Sequence, residues 1–357
     1  MSKTVLVIGT GTIGEPLIGL LARLKEELGI DCVLFHKRTP LQYEIAKVNS
    51  LISQGAQLVV NEDQVENFIS LGHEVTHTME QALEVSQVVI DCTPAGNDNK
   101  ELFYQSHADN SDKMFIAQGS EKGFGFPFAW GVNDAELVTE EPNFIQVVSC
   151  NTHAITRLIL ALSGDDATKV LDGDFVCIRR ANDASQDRGF IPSPTATGHS
   201  DSTFGTHHAR DVSDLFKTKT SYEMPIFSSA LKVNSQYMHM VRFSVVVKGI
   251  FTPEQVLEKV ANDKFITITH HASANRIFSF GRDHGFYGRI YNQAVVCAPS
   301  INVVHYSATM SKITGFVFTP QDGNSLLSSV AAALYGFYGT SYTAKLDSIA
   351  RFLIDEV

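Results

Sequence analysis

Short apolar runs that alternate with amphipathic stretches of helical period predict an α/β chain, its first part a doubly wound, mostly parallel sheet. Two features carry that prediction. One is a glycine-rich turn set between an apolar strand and a helix at residues 9–14; the other is a series of later strand patterns that end in Pro/Gly turns. The remainder is expected to form an α+β domain with an antiparallel or mixed sheet, and 357 residues suffice for two cores.

Val5-Leu6-Val7-Ile8 reads as a buried strand, and Leu17, Ile18, Leu20, Leu21 and Leu24 as the apolar face of a helix, with Pro16 tolerated in its first turn. Between them stands Gly9-Thr10-Gly11-Thr12-Ile13-Gly14, a G-x-G-x-x-G turn in the setting a dinucleotide requires. The glycines permit the tight turn, the approach of a pyrophosphate and close helix packing, and the helix N-terminus faces the phosphates. Gly9, Gly11 and Gly14 are therefore candidate cofactor residues of a Rossmann-type sheet.

The second strand, Cys32-Val33-Leu34-Phe35, runs into His36-Lys37-Arg38-Thr39-Pro40. An NAD-selective site usually places Asp or Glu there. The cations Lys37 and Arg38 would instead welcome a 2′-phosphate, so NADP is expected to bind at least as well as NAD. Further strands are read at Ala56–Val60, Val88–Asp91 and Met114–Ala117. Asp91-Cys92-Thr93-Pro94-Ala95-Gly96 and Gln118-Gly119-Ser120 are strand ends where an open α/β sheet contacts its ligand, which makes Thr93, Pro94, Gly119 and Ser120 cofactor candidates. His73-Glu74-Val75-Thr76-His77 matches a zinc-protease pattern, but it follows Gly72, is β-branched and reads as a strand. In a strand the two histidines lie roughly 13 Å apart, too far to share a metal. No metal is expected.

The net charge of −11 argues against a general nucleic-acid or anionic-membrane binder, though an anionic substrate needs only a locally basic site. Five cysteines (Cys32, Cys92, Cys150, Cys177, Cys297) with no C-x-x-C pair suggest a reducing compartment. Neither a signal peptide nor a membrane span is read, so a cytoplasmic protein is expected.

Cys150 is the most informative residue. The strand pattern Phe144, Ile145, Val147, Val148 ends on it, and a helical pattern begins with Ile155, Leu158, Ile159 and Leu162. A thiol at such a junction sits near backbone N–H groups and the positive end of a helix, which favour the thiolate and can hold an oxyanion. With the nucleotide fingerprint, this suggests an aldehyde dehydrogenase working through a thioester; a packed core cysteine is the plainer reading. Cationic residues follow: Arg179-Arg180 at the end of a strand, then a Gly/Ser/Thr/Pro-rich segment leading to His207-His208. They are reasonable anion hooks in an acidic chain, or else a solvated strand end and a loop. Tyr237-Met238-His239-Met240-Val241 leads into an apolar strand at Phe243–Val247.

The sequence resembles the archaeal-type (type II) glyceraldehyde-3-phosphate dehydrogenases. The resemblance rests on Gly-Thr-Gly-Thr-Ile-Gly at 9–14, Asp-Cys-Thr-Pro-Ala-Gly at 91–96, Gln-Gly-Ser-Glu-Lys at 118–122 and Val-Val-Ser-Cys-Asn-Thr at 147–152. Arg157, Arg179-Arg180, His207-His208 and Met238-His239 follow in the family's order. It implies that Thr12 and Ile13 contact the dinucleotide with Arg179 nearby, and that Cys150 is the nucleophile. Ser149, Asn151 and Thr152 would hold the substrate. His207, His208 and Arg180 would bind a substrate phosphate or inorganic phosphate, and His239 would be the catalytic histidine. The implied reaction is the phosphorylating oxidation of glyceraldehyde 3-phosphate in glycolysis or gluconeogenesis, by a homotetramer. The implied domains are a dinucleotide-binding domain at 1–149, a catalytic domain at 150–324, and a C-terminal helical stretch at about 325–357, read at Lys345–Ile354, packing back on the first. The chain departs from the family at Ser120, where a second glycine is usual, at Thr314–Pro320, which replaces a Gln-Glu-Ser element, and more generally over 250–341. Two other readings stay open: a dehydrogenase of another (semi)aldehyde by the same thioester chemistry, and a nucleotide-binding sensor whose Cys150 is a redox switch.

Overall fold

A computed structural model describes residues 2–108, 113–119, 121–183, 186, 189–320 and 323–357. The chain divides into two compact units. One comprises Met1–Trp130, Leu137–Val147 and Leu326–Ala350, the other Gly131–Glu136, Val148–Ser325 and Arg351–Val357.

The first unit is built on strands β1 (Thr4–Ile8), β2 (Cys32–His36), β3 (Gln57–Val60), β4 (His77–Thr78), β5 (Val88–Asp91), β6 (Met114–Gln118), β7 (Phe126–Phe128) and β8 (Phe144–Val147). They form one sheet in the order β4-β3-β2-β1-β5-β6-β8-β7, with every neighbouring pair parallel. The strand order reverses between β1 and β5, the topological switch at which doubly wound sheets bind ligands. Helices cover both faces of a parallel sheet, which is why β1 and β5 are buried along their whole length.

The helix Gly14–Leu28 buries Leu17, Ile18, Leu20, Leu21 and Leu24 and ends at Gly29, whose left-handed φ of 69° closes a C-cap that residues with a Cβ rarely adopt. The long C-terminal helix is Leu326–Tyr338, and the stretch expected at Lys345–Ile354 holds only the single turn Asp347–Ala350. Leu326–Tyr338 is apolar nearly all round, because it is buried nearly all round, so a one-sided helical period does not reveal it. Tyr338 OH donates to Leu28 O at 2.7 Å and Gln87 Nε2 to Gly336 O at 3.1 Å, tying this helix to the unit. His73 and His77 are not on a helix. His73 Nδ1 pairs with Asn49 Oδ1 at 3.1 Å and His77 Nδ1 with Thr76 Oγ1 at 3.1 Å, so each ring has its own partner.

The second unit carries β9 (Val170–Arg179), β10 (Thr195–Ala196), β11 (Ile226–Lys232), β12 (His239–Lys248), β13 (Ile266–Thr269), β14 (Ala294–Cys297), β15 (Asn302–Ser307) and β16 (Met310–Thr319). The sheet runs β10-β11-β9-β12-β16-β14-β13, with β15 beside β16. It is mixed: β9–β12 and β12–β16 are antiparallel, β9–β11 and β13–β14 parallel. The helix Cys150–Ser163 packs against β9, β12, β14 and β16 and is buried from Asn151 to Ser163. Strand β12 starts earlier than its apolar pattern suggests, so His239 is its first residue. The last residues join this unit by Val357 N–H to Ile268 O at 2.9 Å and Ile268 N–H to Asp355 O at 3.0 Å.

Candidate functional site

In the first unit, β1 ends at Ile8 and the chain turns at Gly9, whose φ is 95°. A Cβ on Gly14 would lie 2.0 Å from Gly9 O, so the turn closes onto the helix only because residue 14 is glycine. Gly11, Thr12 and Ile13 complete the turn and bring the helix N-terminus to the end of the sheet. Beside it opens a cleft of about 470 Å³. Among the expected cofactor residues, Gly9, Lys37, Arg38, Thr93 and Pro94 line it, while Gly119, with φ of 78°, follows β6 outside that lining. Ser120 lies outside the described residues.

The wall of the cleft is organised by Asp91, which sequence reasoning assigned no role. Its buried carboxylate accepts hydrogen bonds from Thr93 N–H (2.8 Å) and Oγ1 (2.7 Å), Asn99 Nδ2 (2.7 Å) and Tyr104 OH (2.7 Å). Burial first, then the Asp91 charge, push the Tyr104 phenol far above its ordinary range, so it stays a donor. His36 Nε2 pairs with Asn61 Oδ1 at 3.0 Å, and burial lowers its pKa, leaving a neutral ring in the lining. The two expected cations differ. Arg38 is exposed, whereas Lys37 is buried with its Nζ 2.5 Å from Glu44 Oε2.

In the second unit, Ser149 caps the helix Cys150–Ser163: its Oγ accepts from Thr152 N–H at 3.4 Å and lies 2.8 Å from Thr152 Oγ1. Cys150 is therefore the first helical residue, half-buried, where the amides of the first turn point out of the helix end. Thr152, expected as a substrate contact, is fully buried, and its hydroxyl is turned to Ser149. The buried His153 ring places Nδ1 3.0 Å from Ser149 O; burial lowers it to about 4, so it is a neutral brace of the junction.

Asn151 links the cysteine to His239. Its Oδ1 lies 3.3 Å from His239 Nδ1 and accepts from Thr319 Oγ1 at 3.4 Å. With Asn151 Oδ1 as acceptor, His239 Nδ1 carries the proton and Nε2 is left as the base. Burial, followed by the charges of Arg180 and Arg179, holds His239 well below its ordinary pKa, so the ring is neutral at physiological pH. Asn324 was also missed. Its Nδ2 donates to Cys150 O at 2.9 Å and to Gln293 O at 3.0 Å, pinning the carbonyl of the candidate nucleophile. No motif marks it: it stands in a turn after β16, within the stretch that matched the family weakly.

The cationic residues gather as well. Arg179 ends β9, Arg180 follows with Nη2 2.6 Å from Asp183 Oδ1, and His207 and His208 open the helix His207–Lys217 with ring centroids 4.0 Å apart. His208 is lowered to about 3 by burial, then by the charges of His207 and Arg179. Among the described residues neither of its buried ring nitrogens has a hydrogen-bond partner, nor has Arg179 Nε. Leaving such groups unmade costs about 1–3 kcal/mol each. The N–H of a neutral imidazole and the guanidinium N–H suit an oxyanion, which would accept from both. Among the described residues no group of three or more His, Cys, Asp or Glu is placed to hold a metal.

No protein-family model matches the chain. It is 30% identical over 263 residues to the glyceraldehyde-3-phosphate dehydrogenase of Pyrobaculum calidifontis, covering 71% of this chain and 69% of that relative. Against the protein of the same name from Sulfolobus acidocaldarius it is 27% identical over 308 residues, 83% of this chain and 82% of the relative. Against that of Methanocaldococcus jannaschii it is 26% identical over 322 residues, 85% and 86% respectively.

Proposed function

The chain belongs to the archaeal-type glyceraldehyde-3-phosphate dehydrogenase family, and we propose that it oxidises glyceraldehyde 3-phosphate with NAD(P) and inorganic phosphate through a thioester on Cys150. The observation that carries the proposal is the cysteine at a helix N-terminus whose next residue, Asn151, holds a neutral His239. Support for a nicotinamide dinucleotide comes from the glycine cradle, where the missing Cβ of Gly14 makes room for the turn, and from the cleft beside it.

In this reading the Cys150 thiolate attacks the aldehyde carbon, and the first-turn amides steady the oxygen that gains charge. His239 Nε2, which takes the Cys150 thiol proton as the thiolate forms, passes it to that oxygen to give the thiohemiacetal and takes it back as the hydride leaves the carbon. NAD(P), when bound, supplies the hydride acceptor. The Cys150 thioester is then cleaved by inorganic phosphate: a P–O–C bond forms, the C–S bond breaks, and the acyl phosphate departs with Cys150 restored as thiolate. Arg179, Arg180, His207 and His208 are the proposed phosphate holders, and binding would raise the two depressed histidine pKa values by adding negative charge beside them. Ser149 and Thr152 keep the junction in shape. A cytoplasmic homotetramer belongs to this reading; no helix among the described residues is long and apolar enough to cross a membrane.

The test is NAD(P)H formation from glyceraldehyde 3-phosphate with and without phosphate, for wild type and Cys150→Ser. Phosphate-dependent turnover that the variant loses is expected. Turnover with other aldehydes alone would move the assignment to the semialdehyde reading. Nucleotide binding with no turnover, and a peroxide-sensitive Cys150, would favour the sensor.

A further inference from the structure

The cleft of the first unit contains a charge arrangement that the glycine motif does not require. Lys37 leaves β2 into the lining, but its Nζ is held by Glu44 Oε2 at 2.5 Å, with both side chains largely buried. The other carboxylate oxygen of Glu44 holds Lys47 at 2.8 Å. Lys47 in turn reaches Glu15 at 3.5 Å and donates to Thr10 O at 3.4 Å, inside the glycine turn. Glu44 comes from the short turn Gln42–Glu44 that leads into the helix Ile45–Ser53, so one residue joins the loop after β2 to the phosphate turn. Lys37 and Lys47 are matched by Glu44 and Glu15, and the exposed Arg38 is the cation of the lining left outside this cluster.

In a doubly wound sheet the adenosine ribose lies at the end of the second strand, so the loop Lys37–Thr39 reads the 2′ position. A 2′-phosphate arriving there meets Arg38 directly, but it can use Lys37 only by displacing a carboxylate that already holds it. That exchange of one oxyanion for another yields little, and any part of the Glu44 charge left nearby repels the phosphate. A 2′-hydroxyl faces neither cost. We propose that Glu44 is a cofactor-selectivity residue: by occupying Lys37 it restrains the preference for 2′-phosphorylated dinucleotides and keeps those with a free 2′-hydroxyl competitive. The proposal rests on the reading that this cleft takes NAD(P). Glu44 is charged at neutral pH: burial opposes ionisation, but the hydrogen bonds and charges of Lys37 and Lys47 outweigh it and hold the carboxyl below its usual range.

Calorimetric binding of NADPH and NADH, and of adenosine 2′,5′-bisphosphate and 5′-AMP, to the full chain tests this without turnover. Glu44→Gln keeps the shape and removes the charge. It should tighten the two 2′-phosphorylated ligands by about tenfold, one charge-assisted hydrogen bond, and leave the 2′-hydroxyl ligands within about twofold. Adding Lys37→Met to that variant should abolish the gain, because the freed ammonium is its source. Glu15→Gln, which removes the other carboxylate on Lys47, should leave the ratio unchanged. An unchanged ratio in Glu44→Gln overturns the proposal. So does a gain that survives loss of Lys37, or an equal weakening of both ligand classes, which would mark Glu44 as purely structural. If wild type binds neither dinucleotide, the nucleotide reading of the cleft falls with it.

Discussion

Replacing Asn324 with alanine tests how the nucleophile is held. The side chain is 1% exposed, and its two amide hydrogens go to two main-chain carbonyls, Cys150 O and Gln293 O. Alanine leaves both acceptors without that donor. Each partly buried hydrogen bond contributes about 0.5–1.5 kcal/mol net, so the loss of two predicts roughly 1–3 kcal/mol. Catalysis should suffer beyond stability, because the carbonyl released belongs to Cys150 itself. A shift of the sulfur by about 1 Å costs on the order of a hundredfold in rate. Urea unfolding of wild type and variant gives the first quantity, and single-turnover reduction of the nucleotide under folding conditions gives the second. A variant that loses less than about 0.5 kcal/mol, the scatter of an ordinary surface change, and keeps its single-turnover rate within about twofold would refute this account of Asn324.

Other outcomes follow from the same geometry. His239→Asn should lower kcat by about 10²–10⁴-fold with a smaller change in KM, measured by steady-state kinetics. Asn151→Asp places a carboxylate where Oδ1 stood, 3.3 Å from His239 Nδ1, and should move the acid limb of kcat/KM up by about 1–3 pH units. An unmoved limb would separate His239 from the rate. The buried histidines also set an acid limit on stability. His153 and His208 are lowered to about 4 and about 3, below their unfolded value near 6.5, so above that pH neither state gains protons from them. Below it the unfolded chain takes up protons that the folded chain refuses. Stability should therefore fall by about 1.4 kcal/mol per pH unit for each histidine as pH drops from about 6.5 towards 4, and urea midpoints at pH 7, 6 and 5 check the slope.

The first unit was legible because its signals are local. Gly9, with its left-handed φ, and Gly14, where a Cβ would meet Gly9 O, must stand at their spacing for the turn to close, and β1, β2 and β5 are buried on both faces and so read as largely apolar runs. Cys150 was legible for a similar reason, since the change from strand to helical period falls beside it. What escaped is set by tertiary contacts. Asn324 reaches Cys150 across 174 residues of sequence, and Thr319 reaches Asn151 across 168. Glu44 changes the meaning of Lys37 only once the loop folds back on β2; in the sequence the lysine stands as an open cation. The helix Leu326–Tyr338 lacks a solvated polar face because it is buried nearly all round, which removes the period by which helices are found.

The thioester on Cys150 is the central claim, and intact-protein mass spectrometry tests it most directly. Wild type is mixed with NADP and glyceraldehyde 3-phosphate in phosphate-free buffer, and the chain is weighed before and after phosphate is added. The account predicts a phosphoglyceroyl adduct that maps to Cys150, is absent from Cys150→Ser and is discharged by phosphate as the acyl phosphate appears. Reduced nucleotide accumulating with no adduct, or an adduct on Cys32, Cys92, Cys177 or Cys297, would contradict it.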